Sequence, residues 1–264
     1  MEEFIETGHY AFRLPHNKEI KIWRYMDLAK YLSVLQRSAL FFCKASLLGD
    51  PFEGSVSKPI YEWRDYLLKN RETDPQLSDW KDLPEDVVQN YVEAMPRINR
   101  EHIDTFMVNC WHMNEHESAA MWKLYASADE AVCIQSTYRR IRKALPQCVY
   151  IGEVQYVDYE RDSFPQGNVF FNIMHKRKSF EHERELRAVY WSVESTDEAK
   201  TIAKDVDPNC GVWINVTDLS AIVENVYVSP TAPRWFGEVV SDATRQYGLG
   251  IDVKHSSLSA APLY

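Results

Sequence analysis

Apolar and polar positions alternate along several short stretches of the chain and repeat at helical spacing along others, and these two rhythms predict the elements. Alternation or short apolar runs predict strands over residues 20–25 (IKIWRY), 39–43, 106–111, 131–134, 150–156, 183–191, 212–214, 226–228 and 251–254. Leu28, Tyr31, Leu32 and Leu35 recur at helical spacing behind Asp27, a suitable N-cap. Further helices are expected over 115–126, 136–145 and 232–247. Residues 58–104 are polar and helical in pattern, with Leu83-Pro84-Glu85-Asp86 as a helix start. Strands and helices mix without strict alternation. The expectation is therefore a single α+β domain over 1–264 with a mixed, largely antiparallel sheet, flanking helices and a helical insertion at 58–104.

Composition narrows the class. Hydrophobic residues make up 45% and charged residues 26% of the 264, the balance of a globular domain able to bury one core. The net charge of −9 argues against a broad electrostatic grip on nucleic acid, although Arg139-Arg140-Ile141-Arg142-Lys143 and His175-Lys176-Arg177-Lys178 are locally basic. Both clusters are expected as solvated helix faces or loops. The five cysteines lack the spacing of a disulfide framework. Met1-Glu2-Glu3-Phe4 is acidic, unlike a signal peptide, and no window has the apolar length of a membrane span. A cytoplasmic protein is the expectation.

Four segments carry chemistry-bearing side chains. In Lys176 to Arg187, strand alternation puts Glu183, Glu185 and Arg187 on one face, a row costly to bury unless its charges pair. Its continuation into the apolar run Ala188-Val189-Tyr190-Trp191 points to burial, hence to function. Trp23-Arg24-Tyr25 sets a guanidinium between two rings. Leu48 to Gly54 is a turn-rich loop bearing Asp50 and Glu53, where Asp50 could equally serve the turn through its own backbone. In Asn109 to Trp122, Cys110, His112 and His116 invite zinc. Their spacing fits no zinc pattern, so no metal is expected, and Asn114 with Glu117 reads as the start of a helix.

Taken together, these segments resemble the domain-of-unknown-function family 2971 of bacterial and phage proteins. The matching residues are Trp23-Arg24-Tyr25, Asp50-Pro51-Phe52-Glu53, the stretch from Cys110 to Met121-Trp122, and Lys176 with Glu183-x-Glu185-x-Arg187. That resemblance spans about residues 20 to 255 and implies a fold without an activity. A second, looser resemblance is to ADP-ribosyltransferases, whose split sheet opens with an Arg or His on its first strand and ends in a Glu-x-Glu strand. Arg24, the helix behind Asp27, the strand at Ala39 and Glu183-x-Glu185 stand in that order here. The departure lies in the middle, where those enzymes carry Ser or Tyr and this chain has Asn109, Trp111 and His112.

The resemblance to the transferases implies an NAD-consuming enzyme, a toxin or phage-defence effector, with NAD as substrate and a protein or nucleic acid as acceptor. It makes Glu185 the catalytic carboxylate and Glu183 the residue that positions the acceptor. Arg24, Tyr25, Asn109, His112 and Arg187 become candidate cofactor-binding residues. Two other classes stay open. A metal-dependent nuclease or phosphoesterase would gather Mg²⁺ on Asp50, Glu53, Glu183 and Glu185 with Lys176 at the phosphate. A non-catalytic module would use the charged row to grip a ligand or partner.

Overall fold

A computed structural model describes residues 8–125, 130–216 and 218–262. Met1-Glu2-Glu3-Phe4 and Ala126, the expected end of one helix, lie outside them. The strands are β1 (Lys21–Asp27), β2 (Ala39–Lys44), β3 (Phe106–Met113), β4 (Ala131–Thr137), β5 (Val149–Glu153) and β6 (Gln155–Val157). They continue with β7 (His175–Arg177), β8 (Glu185–Trp191), β9 (Gly211–Asn215), β10 (Asn225–Val228) and β11 (Val253–His255). Nine of them form one sheet in the order β11-β10-β4-β1-β3-β2-β9, with β8 on the other edge of β3 and β5 beyond it. Every pairing in this sheet is antiparallel except β10 with β11; β6 and β7 form a separate parallel pair. The chain is an α+β protein, as its mixed rhythms imply.

One edge of β3 is shared. Near its start Val108 and Met107 pair with Cys43 and Lys44 of β2, and near its end His112 and Met113 pair with Trp23 and Ile22 of β1. Between them Asn109, Cys110 and Trp111 meet no strand on that edge, so the sheet is split between β1 and β2. Helix Leu28–Arg37 joins these two strands. Asp27 caps it by accepting from Lys30 N at 2.8 Å, and it ends at Ser38, whose positive φ of 48° stops the winding. Gly211 lets β9 close on β2, because a Cβ there would lie 2.0 Å from the Phe42 carbonyl oxygen.

Alternation along the strands sorts the core onto two faces. On one face Ile22, Met26, Met107, Trp111, Leu186 and Tyr190 pack against Tyr31, Val34, Ile141, Phe236 and Val240 of the covering helices. The other face carries two apolar clusters. One holds Phe106, Val108, Phe170, Ile173 and Val189, and the second Trp23, Tyr25, Met121, Trp122 and Cys133. Between these two clusters run Cys110 and His112 of β3 beside Arg187 and Glu185 of β8. A polar strip thus interrupts the core. The segment between β2 and β3 is helical, and Leu67, Leu77, Val88 and Val92 give helices Lys58–Asn70 and Glu85–Ile103 a small core of their own.

Four local expectations are corrected. Strand β8 begins at Glu185, because Lys178–Glu183 winds as a 3₁₀ turn and Arg184 takes a left-handed φ of 41°. The alternation over 150–156 breaks at Val154 into β5 and β6, Val154 N donating to Glu185 O. The helix expected from Glu115 begins at Ala119. Its first turn is capped by Ser118, whose Oγ accepts from Met121 N, while Asn114 bonds to Trp23 and Arg184 and Glu117 accepts from Trp122 Nε1. Neither basic cluster is simply solvated. Arg142 is buried and its guanidinium donates to the carbonyls of Leu145, Pro146 and Val149, and Lys176 is 8% exposed.

Candidate functional site

Three distant segments converge on the polar strip: the loop after β2, the run from β7 through the 3₁₀ turn, and β8. Arg187, fully buried, donates from Nε to Glu185 Oε1 at 2.6 Å and from Nη2 to Oε2 at 2.9 Å. Its Nη atoms also reach both oxygens of Glu53, at 2.9 and 3.3 Å, and Nη1 donates to Ile173 O at 2.6 Å. Lys176 Nζ lies 2.6 Å from Glu183, 3.1 Å from Glu53 and 3.5 Å from Glu185. The network therefore sets three carboxylates against two cations and keeps one negative charge in excess. Burial of such a set is tolerable only because nearly every charged oxygen has a donor.

The loop is a brace. Asp50 accepts from Phe52 N at 3.1 Å, the turn role its position suggests, and it also takes a two-point bond from Arg177, Nε at 3.0 Å and Nη2 at 2.6 Å. The Arg177 guanidinium in turn lies 4.3 Å from the Phe52 ring centroid and 5.5 Å from that of Phe180. These contacts hold Glu53 where Arg187 and Lys176 need it.

The electrostatics follow from the packing. Burial alone would raise the Glu185 carboxyl, yet the Arg187 guanidinium, and Lys176 behind it, hold it down at about 2. Burial would likewise lower Lys176, but Glu185 and Glu53 keep its ammonium charged well above the usual lysine range. The Cys110 thiol is pushed up by burial and by Glu185, with which it hydrogen-bonds, so it stays protonated. Tyr156 OH accepts from Glu185 N at 2.9 Å, and Tyr125 OH donates to Glu183 Oε1 at 3.3 Å. Both glutamates are buried, and Glu183 is the one that touches Tyr125, itself 47% exposed.

Arg24 stands in the split between β1 and β2. Its Nη2 donates to Phe41 O at 3.4 Å, an oxygen that also accepts from Asn109 Nδ2 at 2.8 Å, and its guanidinium lies 5.9 Å from the Trp111 ring centroid. Its charge acts on Cys110 and Cys43 across the split, while strand alternation starts its side chain on the face of Ile22 and Met26, opposite the one that carries Glu185 and Arg187. Among the described residues Arg24 has no carboxylate partner, and its buried Nη1 has no hydrogen-bond partner at all. Such a cation is costly to leave without an anion.

The candidate residues thus fall into three places. Glu53, Lys176, Glu183, Glu185 and Arg187 meet directly; Asp50 joins them through Arg177. Arg24 and Asn109 share the split, where Asn109 Oδ1 also accepts from Trp111 Nε1 at 2.6 Å. Tyr25 and His112 line the strip beyond Cys110, ring centroids 6.4 Å apart, with Tyr25 OH accepting from Ser118 N at 2.9 Å. Tyr125, Tyr156, Phe180 and Arg177 were not evident as site residues. Their signal is positional, since each borders a residue of the row only after folding. The carboxylates converge on Lys176 and Arg187 rather than on an open position, and no group of three or more metal-ligating side chains occurs among the described residues. No helix among them is long and apolar enough to cross a membrane. No family model, curated protein or solved structure gives a significant match to the chain.

Proposed function

We propose that the protein is an ADP-ribosyltransferase-like enzyme that cleaves the nicotinamide–ribose bond of NAD in the reducing cytoplasm. The ADP-ribose passes to water or to a macromolecular acceptor, the chemistry of a toxin or defence effector. The observation that carries this reading is a separation of charge. A buried carboxylate network with one negative charge in excess lies on one face of the sheet, and Arg24, a guanidinium with no carboxylate of its own, stands in the split alongside β3. A dinucleotide complements that arrangement, with pyrophosphate for the cation and a ribose that turns positive as the bond breaks for the carboxylates. Breaking an N-glycosidic bond passes through an oxocarbenium-like state, and a fixed anion stabilises it without needing to move a proton.

The roles of the two glutamates then divide by their partners. Glu183, which accepts from the half-exposed Tyr125, faces the ribose; Glu185, locked by Arg187, supplies the permanent field behind it. The split in the sheet and the order of Arg24, helix, strand and Glu-x-Glu support the likeness to the transferases. Incubating the protein with NAD in the presence of a chelator tests the reading: release of nicotinamide by the wild type, lost in Glu183→Gln, is expected. Metal-dependent cleavage of nucleic acid, with no nicotinamide released, would replace this reading by the phosphoesterase one.

A further inference from the structure

We infer that His112 is the proton acceptor of this site, taking on Nε2 the proton of the hydroxyl or water that attacks the ribosyl carbon. His112 is 4% exposed and pairs across the sheet with Glu185, on the strip that separates the two apolar clusters. Its Nδ1 lies 2.6 Å from the Glu183 carbonyl oxygen. A carbonyl only accepts, so Nδ1 carries the hydrogen and Nε2 carries the lone pair. That Nε2 is buried and has no partner among the described residues. An acceptor atom held bare inside the protein is costly unless something else supplies a donor. The incoming O–H is such a donor.

The contact does a second thing. It fastens the imidazole to the backbone of Glu183, whose carboxylate is held in turn by Lys176 and Tyr125. The groups around the ring are Tyr25 from β1, Glu185 from β8, and His182, Glu183 and Arg184 from the turn. Burial pulls the imidazole below its ordinary pKa, and Arg184 and His182 add to that against the Glu183 carbonyl, so the ring is neutral near pH 7. In the step itself the attacking oxygen bonds to the ribosyl C1′ while the C1′–N bond breaks. Its electron pair leaves with neutral nicotinamide, and the O–H proton passes to Nε2, giving an imidazolium that returns it to solvent.

This inference rests on the glycosidic-cleavage reading, and its test separates the two. His112→Asn keeps an amide N–H for the Glu183 carbonyl and removes the Nε2 position. The expected result is a loss in kcat of about 10²–10⁴-fold with KM little changed and the melting midpoint retained. The acidic limb of the wild-type kcat–pH profile should vanish with it. Nitrogen-15 spectra of the wild-type ring should show Nδ1 protonated and Nε2 bare at neutral pH, without any substrate. An Nε2–H tautomer, or an Asn variant retaining full kcat and the same acidic limb, overturns the role of His112 while leaving NAD cleavage intact. A wild type that releases no nicotinamide overturns both.

Discussion

Arg187 donates through both Nη atoms to the carboxylate of Glu53, at 2.9 and 3.3 Å, across 134 residues of chain. The same guanidinium holds Glu185 through Nε and Nη2, so one side chain fastens the loop after β2 to strand β8. Removing one partner of a buried ion pair leaves the other charge uncompensated. Arg187→Met should therefore lower stability by about 3–5 kcal/mol. Urea unfolding of the variant checks this, and a loss within about 1 kcal/mol would mean that the network does not hold the fold together.

Glu185→Gln removes a charge that Arg187 and Lys176 favour, so it costs some stability, yet the network has a carboxylate to spare. Losing that charge leaves Glu53 and Glu183 against Lys176 and Arg187, an even balance. The variant should fold, with nicotinamide release down about 10²–10³-fold from the lost field. An unchanged rate would remove Glu185 from the site.

Arg24→Ala should act on binding rather than turnover. The guanidinium has no carboxylate to abandon, so stability should fall little or even rise. Titration calorimetry with NAD should show a weaker Kd, by about tenfold or more for the loss of a charge-assisted contact. An identical isotherm for variant and wild type would place the phosphates elsewhere.

Acid should destabilise the protein in two windows. His112 and His175 have pKa values pulled below 6.5, chiefly by burial, so the unfolded chain takes up protons first as the pH falls through 6.5. Stability they contribute is full above that pH and declines below it. Glu185, held at about 2 against an ordinary 4.5, adds a second loss from about pH 4.5 downward. Lys176 is raised, so its contribution fades only in strong alkali. Melting midpoints recorded from pH 3 to 9 should show both steps, and a His175→Asn variant should flatten the first.

Strands with a strong rhythm were legible in the chain. Residues 131–134 and 226–228 sit within β4 and β10, and Asp27 caps the helix that its position suggests. The gathering of Glu53, Lys176, Glu183 and Glu185 was conceivable from the sequence only as a metal site of the phosphoesterase reading, and nothing local states that Arg187 would tie the loop at 53 to its strand. The alternation argument put Glu183 in the same row as Glu185. It arrives there instead from a 3₁₀ turn, because Arg184 adopts a left-handed backbone that no periodicity announces. Tyr125 and Tyr156 carry no signal of their own, as a lone tyrosine reads equally as core or surface.

Because β1 and β2 each hold only one end of β3, the line between them is a seam crossed by few hydrogen bonds, and Arg24 reaches over it to the Phe41 carbonyl. A molecule lodged there would act as a staple, adding contacts across a seam that no strand pairing closes. Its occupancy should then register as heat resistance that grows with the logarithm of its concentration, a signal open to any ligand library and independent of what reaction follows.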